Sequence, residues 1–197
     1  MAGDTPADWL IVGLGNPGKE YAHTRHNAGA DTIALLAKRH GAKLKMSTKE
    51  RSVVDVTRIH NTRVVLAFPQ TYMNESGVSV SLLAKRHNVD DATRIVIVHD
   101  ELDLEVGRLK LKEGGGLAGN NGLKSVKQHL HTDGFLRVRI GIGKPPGKQQ
   151  GANHVLKKPG KAEAEALAVS IEEAADAVEL IVAQGMAAAM NAVNTRD

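Results

Sequence analysis

The sequence predicts a single-domain α/β fold with strands and helices interleaved, and three observations carry that prediction. Short apolar segments rich in Val, Ile and Leu alternate along the chain with longer stretches of helical periodicity. The length of 197 residues suits one compact unit and is short for two catalytic domains. No internal repeat, heptad array or linker divides the chain.

The elements follow in order. Residues 1–8 are polar and read as a flexible N-terminal extension, leaving 9–197 as the domain with helices at its C-terminal end. Trp9 to Leu14 is an apolar run bounded by glycines, the pattern of a buried strand. A helix is predicted from near Thr24 to Arg39, with Ile33, Leu36 and Ala37 on one stripe. Val53 to Ile59 and Arg63 to Phe68 pair as strands around a His60-Asn61 turn. Asn74 is the predicted N-cap of a second helix through His87, whose apolar positions are Val78, Val80, Leu82 and Leu83. Arg94 to His99 is a further strand, ending in the acidic run from Asp100 to Asp103. From Gly107 to Lys112 the alternation sends Arg108, Lys110 and Lys112 to one face and the leucines to the other. After a glycine loop, Asn120 or Asn121 opens a helix carrying Lys124 and Lys127, and Leu136 to Ile142 is a strand with Arg137 and Arg139 on one face. Residues 143–151, with two prolines, form a loop and a candidate lid. A helix from Lys161 to Ala183 and a short Ala-rich helix after Gly185 complete the chain.

Composition narrows the chemistry. The chain has no cysteine, which removes disulfides, thiolate nucleophiles and zinc-thiolate sites. Its aromatics are Trp9, Tyr21, Phe68, Tyr72 and Phe135, too few for a base-stacking platform. No signal-peptide pattern or membrane-length apolar run is present, so a soluble, cytoplasmic protein is expected. The net charge of +4 is unevenly spread: residues 107–161 hold 12 Lys/Arg against 2 Asp/Glu, whereas residues 162–197 hold 1 against 7. That asymmetry points to a surface facing a polyanion.

Gly13-x-Gly15-x-x-Gly18 after the first strand matches the dinucleotide fingerprint in letters. Its context does not, because Pro17 removes a backbone donor, Lys19 to His23 delay the helix, and no acid closes the segment Ala42 to Met46. The loop is expected instead to shape a cleft and aim the Asn16 amide outward, the residue before proline being biased to extended geometry. Among nine histidines, His40, His60, His87, His129 and His131 read as surface groups at helix ends and turns. His26 stands at a loop-to-helix junction beside Asn16, where a helix N-terminus would keep it neutral as a general base requires.

Asp100 is its expected partner, provided that its strand lies parallel and next to the first one. His99 and Asp100 point to opposite faces of their strand. A metal site built from His99, Asp100, Glu101 and Asp103 competes with this reading but lacks a second cluster at ligand spacing. With no cysteine, and with Ser76 outside any nucleophile-elbow pattern, water is the nucleophile of any hydrolysis. Asparagines in turn contexts, Asn16, Asn27, Asn74 and Asn121, suit recognition of a carbonyl, a peptide backbone or a ribose.

Five segments in order, VGLGNPGKEYAHTRHNAG, PQTYMNESG, HDELDLEVGRLKLKEGGG, NNGLKS and RVRIGIGKPPG, resemble the bacterial peptidyl-tRNA hydrolase family. The resemblance implies a mixed, mainly parallel twisted sheet flanked by helices. It also implies hydrolysis of the ester joining a peptide to the 3′-terminal ribose of tRNA, by a monomer without metal or organic cofactor. By position, His26 would be the base and Asp100 the carboxylate orienting it. Asn16 and Asn74 would line the cleft with Tyr21 and Met73 as wall contacts, and Asn121 would sit near the scissile carbonyl. Arg108, Lys110, Lys112, Lys124, Lys127, Arg139 and Lys144 would meet tRNA phosphates. The chain departs from the family's usual Gly-His-Asn-Gly-Leu with Gly119-Asn120-Asn121-Gly122-Leu123, a change that bears on the surroundings of Asp100. A non-catalytic RNA-binding protein on the same scaffold is the alternative, against which the retained polar residues argue.

Overall fold

A computed structural model describes residues 6–145 and 151–195. Seven strands form one sheet: β1 (Trp9–Gly13), β2 (Lys45–Ser47), β3 (Ser52–Ile59), β4 (Thr62–Pro69), β5 (Ile95–Glu101), β6 (Leu109–Glu113) and β7 (Leu136–Gly141). Their order is β2-β3-β4-β1-β5-β7-β6. The central four, β4, β1, β5 and β7, run parallel, and the outer pairings β2–β3, β3–β4 and β6–β7 are antiparallel. β1 and the first four residues of β5 are apolar on both faces because helices cover both, whereas β7 turns Arg137 and Arg139 to one face.

One layer holds α1 (Ala28–Arg39), α5 (Lys161–Gln184) and α6 (Met186–Asn194), packed on Ile11, Val96, Val98 and Val138. The other holds α2 (Ser76–Arg86) and α3 (Asn121–Leu130), packed on Leu10, Val12, Val65 and Ile97. A five-residue helix, α4 (Gly151–Val155), precedes α5.

Two glycines set how close α1 comes to the sheet. A Cβ on Gly29 would stand 2.1 Å from the Val98 carbonyl oxygen, and one on Gly13 would stand 2.2 Å from that of Gly29. Only hydrogen at both positions lets the first turn of the helix lie directly on β1 and β5. Leu14 N–H donates to the Val98 carbonyl at 3.0 Å and Ala30 N–H to that of Leu14 at 3.2 Å, tying the glycine loop to strand and helix.

Several expected boundaries and contacts differ. Arg25–Asn27 forms a 3₁₀ turn, so the α-helix begins at Ala28 rather than near Thr24. Asn74 lies inside the 3₁₀ turn Met73–Glu75, and Glu75 occupies the cap position of α2 without a side-chain hydrogen bond. The cap expected at Asn120 or Asn121 is Asn120, whose Oδ1 accepts from Leu123 N–H at 3.0 Å. The end of the extension is anchored, since Ala7 N–H donates to the His87 carbonyl and Asp8 N–H to that of Arg63. Residues 1–5 of the extension and 146–150 of the candidate lid fall outside the described residues. His60 and Asn61, with φ of 50° and 60°, build the left-handed two-residue turn that suits a β3–β4 hairpin.

At the far end of the sheet, the Asn194 side chain meets β6. Its Oδ1 accepts from Leu111 N–H at 2.8 Å and its Nδ2 donates to the Leu111 carbonyl at 2.9 Å.

Candidate active site

The C-terminal ends of β1 and β5 lie side by side, with Gly13 paired to Val98 in parallel register. Side chains alternate along β5, so Asp100 follows Val96 and Val98 onto the face covered by α1 while His99 faces the other way. The 3₁₀ turn before α1 lowers His26 onto Asp100, with His26 Nδ1 2.9 Å from Asp100 Oδ2. The Asp100 side chain is 3% exposed and that of His26 14%. Since an ionised carboxylate only accepts, Nδ1 carries the hydrogen and Nε2 is the free acceptor.

Electrostatics correct the expectation that a helix terminus keeps His26 neutral. Burial is the largest single influence and pushes its pKa down, yet the charge and the hydrogen bond of Asp100 together outweigh it and leave His26 above the ordinary histidine value. The cation formed on taking up a proton is thereby stabilised. His99 Nδ1 donates to the Asp100 carbonyl at 2.7 Å, and burial holds its own pKa down, so a neutral imidazole braces the backbone beneath the carboxylate.

His26 and Asp100 open into a cleft of about 160 Å³ lined also by Leu102, Asn120, Asn121, Gly151 and Val155. A larger groove of about 440 Å³ between the C-terminal ends of α2 and α3 is remote from this chemistry. Asn121 is exposed at the first turn of α3. Asn16 is 7% exposed and turned inward, contrary to the outward amide expected: its Oδ1 accepts from Met73 N–H at 2.7 Å. The Asn16 backbone exchanges two hydrogen bonds of 2.9 Å with the Asn27 amide. Asn16 therefore positions the Met73 turn, on which Asn74 is exposed and Met73 is buried. Tyr21 packs edge-on against Tyr72 at 6.5 Å, and Tyr72 is 59% exposed.

Comparison with known proteins decides the family. The family model for peptidyl-tRNA hydrolase matches residues 10–197. The chain belongs to the peptidyl-tRNA hydrolase family. A peptidyl-tRNA hydrolase of Mycolicibacterium vanbaalenii is 51% identical over 185 residues, 94% of this chain and 96% of the relative. One from Cutibacterium acnes is 46% identical over 198 residues, covering 95% of this chain and 98% of its own. The crystal structure of the Acinetobacter baumannii peptidyl-tRNA hydrolase superposes with a TM-score of 0.90 at 40% identity, over 99% of this chain and 97% of that one. The RNA-binding alternative finds no support among these peptidyl-tRNA hydrolases.

The basic residues are not equivalent. Arg108, Lys124 and Lys127 are exposed, although Lys127 Nζ lies 4.0 Å from Asp133. Lys110 is half-buried and donates to the Asn194 carbonyl at 3.1 Å, and Lys112 reaches the Gly116 carbonyl at 3.4 Å. Arg139 Nε is held by the buried Glu101 at 3.1 Å, while Lys144, 72% exposed, stands 3.3 Å from Asp103. Arg137 is buried on the same strand face as Arg139 and donates to the Gly115 and Gly116 carbonyls, shaping the loop before α3.

The histidines read as surface groups also divide. His87 is buried, His129 lies within α3 with Nδ1 donating to the Ser125 carbonyl, and His40 Nε2 lies 2.6 Å from Glu179. Among the described residues no group of three or more His, Asp or Glu is arranged to hold a metal ion. The sequence offers Glu101 only as a metal ligand and not as the partner of Arg139, and it singles out neither Tyr72 as a site residue nor the wall contributed by α4. The five-residue helix had no periodicity to reveal it, whereas Tyr72 had a signal in being a rare aromatic beside Met73.

Proposed function

We propose that the chain hydrolyses the ester between a peptide and the 3′-terminal ribose of tRNA, with His26 as general base and Asp100 as its orienting carboxylate. The supporting observation is the 2.9 Å contact between the two at the mouth of a cleft lined by Asn121. His26 Nε2 removes a proton from water as the oxygen attacks the ester carbonyl. The imidazolium so formed is stabilised by Asp100. Negative charge grows on the carbonyl oxygen, where the Asn121 amide donates. Collapse breaks the bond to the ribose 3′ oxygen, which leaves with the proton held by His26, and free tRNA and a peptide carboxylate result.

Asn74 and the Asn16-anchored turn, with Tyr21 and Met73, form the surface for the peptide and the terminal nucleoside. Asn121, Lys124 and Lys127 recur every three residues along α3, so one helix runs from the ester to the phosphate-binding face. Shape and phosphate recognition without base readout suit a substrate common to many tRNA sequences. The reaction is assigned to a monomer. Among the described residues no helix is long and apolar enough to cross a membrane, which fits a site of action in the cytoplasm on released peptidyl-tRNA.

His26→Ala should nearly abolish release of an N-blocked aminoacyl group from tRNA while binding of deacylated tRNA persists. Full turnover in that variant would sink the mechanism, and tight tRNA binding without turnover by the unaltered chain would sink the function.

A further inference from the structure

Arg25 adjoins His26 in the chain, but its side chain runs away from the cleft to the segment around α4. Its Nη1 donates to the His154 carbonyl at 3.1 Å and the Lys157 carbonyl at 3.5 Å, and its Nη2 lies 2.8 Å from Glu163 Oε2 in the first turn of α5. The Arg25 backbone N–H also donates to the Lys157 carbonyl at 3.1 Å. The two carbonyls belong to the last turn of α4 and the residues just beyond it, and that of His154 also accepts from Lys157 N–H at 3.2 Å.

Five residues are too few for a helix to persist without outside support. Yet Gly151, Ala152 and Val155 of α4 line the same cleft as His26. The Arg25 side chain is 10% exposed, so its charge-assisted bonds to the carbonyls are little weakened by water, whereas the 47% exposure of Glu163 leaves the ion pair screened. The guanidinium meets its three acceptors from two nitrogens held in one rigid plane, whereas an ammonium donates from a single nitrogen.

We propose that Arg25 is a positioning residue that fastens the α4 wall to the turn carrying His26, and so sets how tightly the cleft grips the acyl residue next to the ester. The proposal rests on the esterase reading above. Among the described residues the Arg25 side chain has no hydrogen bond or ion pair with His26, Asp100, Arg108, Lys124 or Lys127. Its loss should therefore act on acyl binding more than on proton transfer or tRNA affinity.

The test compares R25Q and R25K with the unaltered chain, using N-blocked aminoacyl-tRNA for turnover and deacylated tRNA for binding. R25Q should raise KM about tenfold, the usual scale for losing charged hydrogen bonds. It should leave the acid limb of the pH profile in place and deacylated-tRNA affinity nearly unchanged, with R25K recovering part of the loss. Amide hydrogen exchange across 151–157 should quicken in both variants while that across 28–39 does not. Unchanged KM together with unchanged exchange would overturn the proposal, as would a displaced acid limb with KM intact, since Arg25 would then act on His26 itself. If R25Q fails to fold, R25K carries both measurements. If the unaltered chain shows no turnover, the esterase reading fails and the exchange data still judge the tie between Arg25 and α4.

Discussion

His26 and Asp100 are 74 positions apart in sequence and 2.9 Å apart in space, and almost everything chemical about the site depends on the carboxylate being charged. Because Asp100 raises the pKa of His26, the proposed general base would be lost to protonation as pH falls through a value above that of ordinary histidine. Asp100→Asn removes that charge, so the acid limb of kcat/KM should move to lower pH. The plateau should fall by about 10²- to 10⁴-fold as tautomer control and cation stabilisation are lost. A limb that stays in place would separate Asp100 from the titration of His26. Both residues could be picked out in the chain from their positions at the ends of a strand and a glycine loop. The direction of the shift could not, because it is decided by burial against a neighbour's charge. Asn16 was legible as a special residue but not as an inward one, since its partner Met73 N–H arrives from 57 positions away.

At the level of elements, the glycines of the first loop serve packing between helix and sheet. Their letters suggested a phosphate cradle, but the spatial partner of Gly13 is Gly29, and no local pattern announces a contact between two backbones. Gly29→Ala would force a methyl group to within 2.1 Å of the Val98 oxygen unless α1 shifts. We expect it to cost about 1–3 kcal/mol of stability, the usual price of overpacking, seen as a lowered Tm. Turnover should fall as well, because the shift carries His26 away from Asp100, and a stable, fully active Gly29→Ala protein would contradict this packing account. The strands other than β2 are legible because apolar runs between turn residues leave few alternatives, whereas Lys45–Ser47 has no such run. Asn74 is not the cap because a 3₁₀ turn intervenes before α2, and α4 has no signature in the sequence because its support comes from Arg25 and not from its own residues.

For the whole molecule, the charge asymmetry along the sequence becomes a division of labour among cations. Arg139 is held by Glu101, and Lys110 and Lys112 are committed to backbone carbonyls, whereas Lys124, whose side chain has no hydrogen bond or ion pair among the described residues, stands on α3 beside a loosely paired Lys127. The slope of log affinity for tRNA against log salt should therefore flatten by about 1 for each of Lys124→Ala and Lys127→Ala. An unchanged slope in the double variant would move the phosphate track elsewhere. The excess of basic residues was readable by counting, but their differing freedom depends on acids and carbonyls that folding brings near. The amide of Asn194 has a consequence of a different kind. By occupying both the N–H and the carbonyl of Leu111, it satisfies the outward hydrogen-bonding groups at the middle of the edge strand β6, where a strand from another copy would otherwise add on. A chain ending before Asn191 should sediment as concentration-dependent assemblies, whereas the full chain at the same concentrations should not. In that light the final helix works as a selvedge, the finished border that keeps the sheet from being extended.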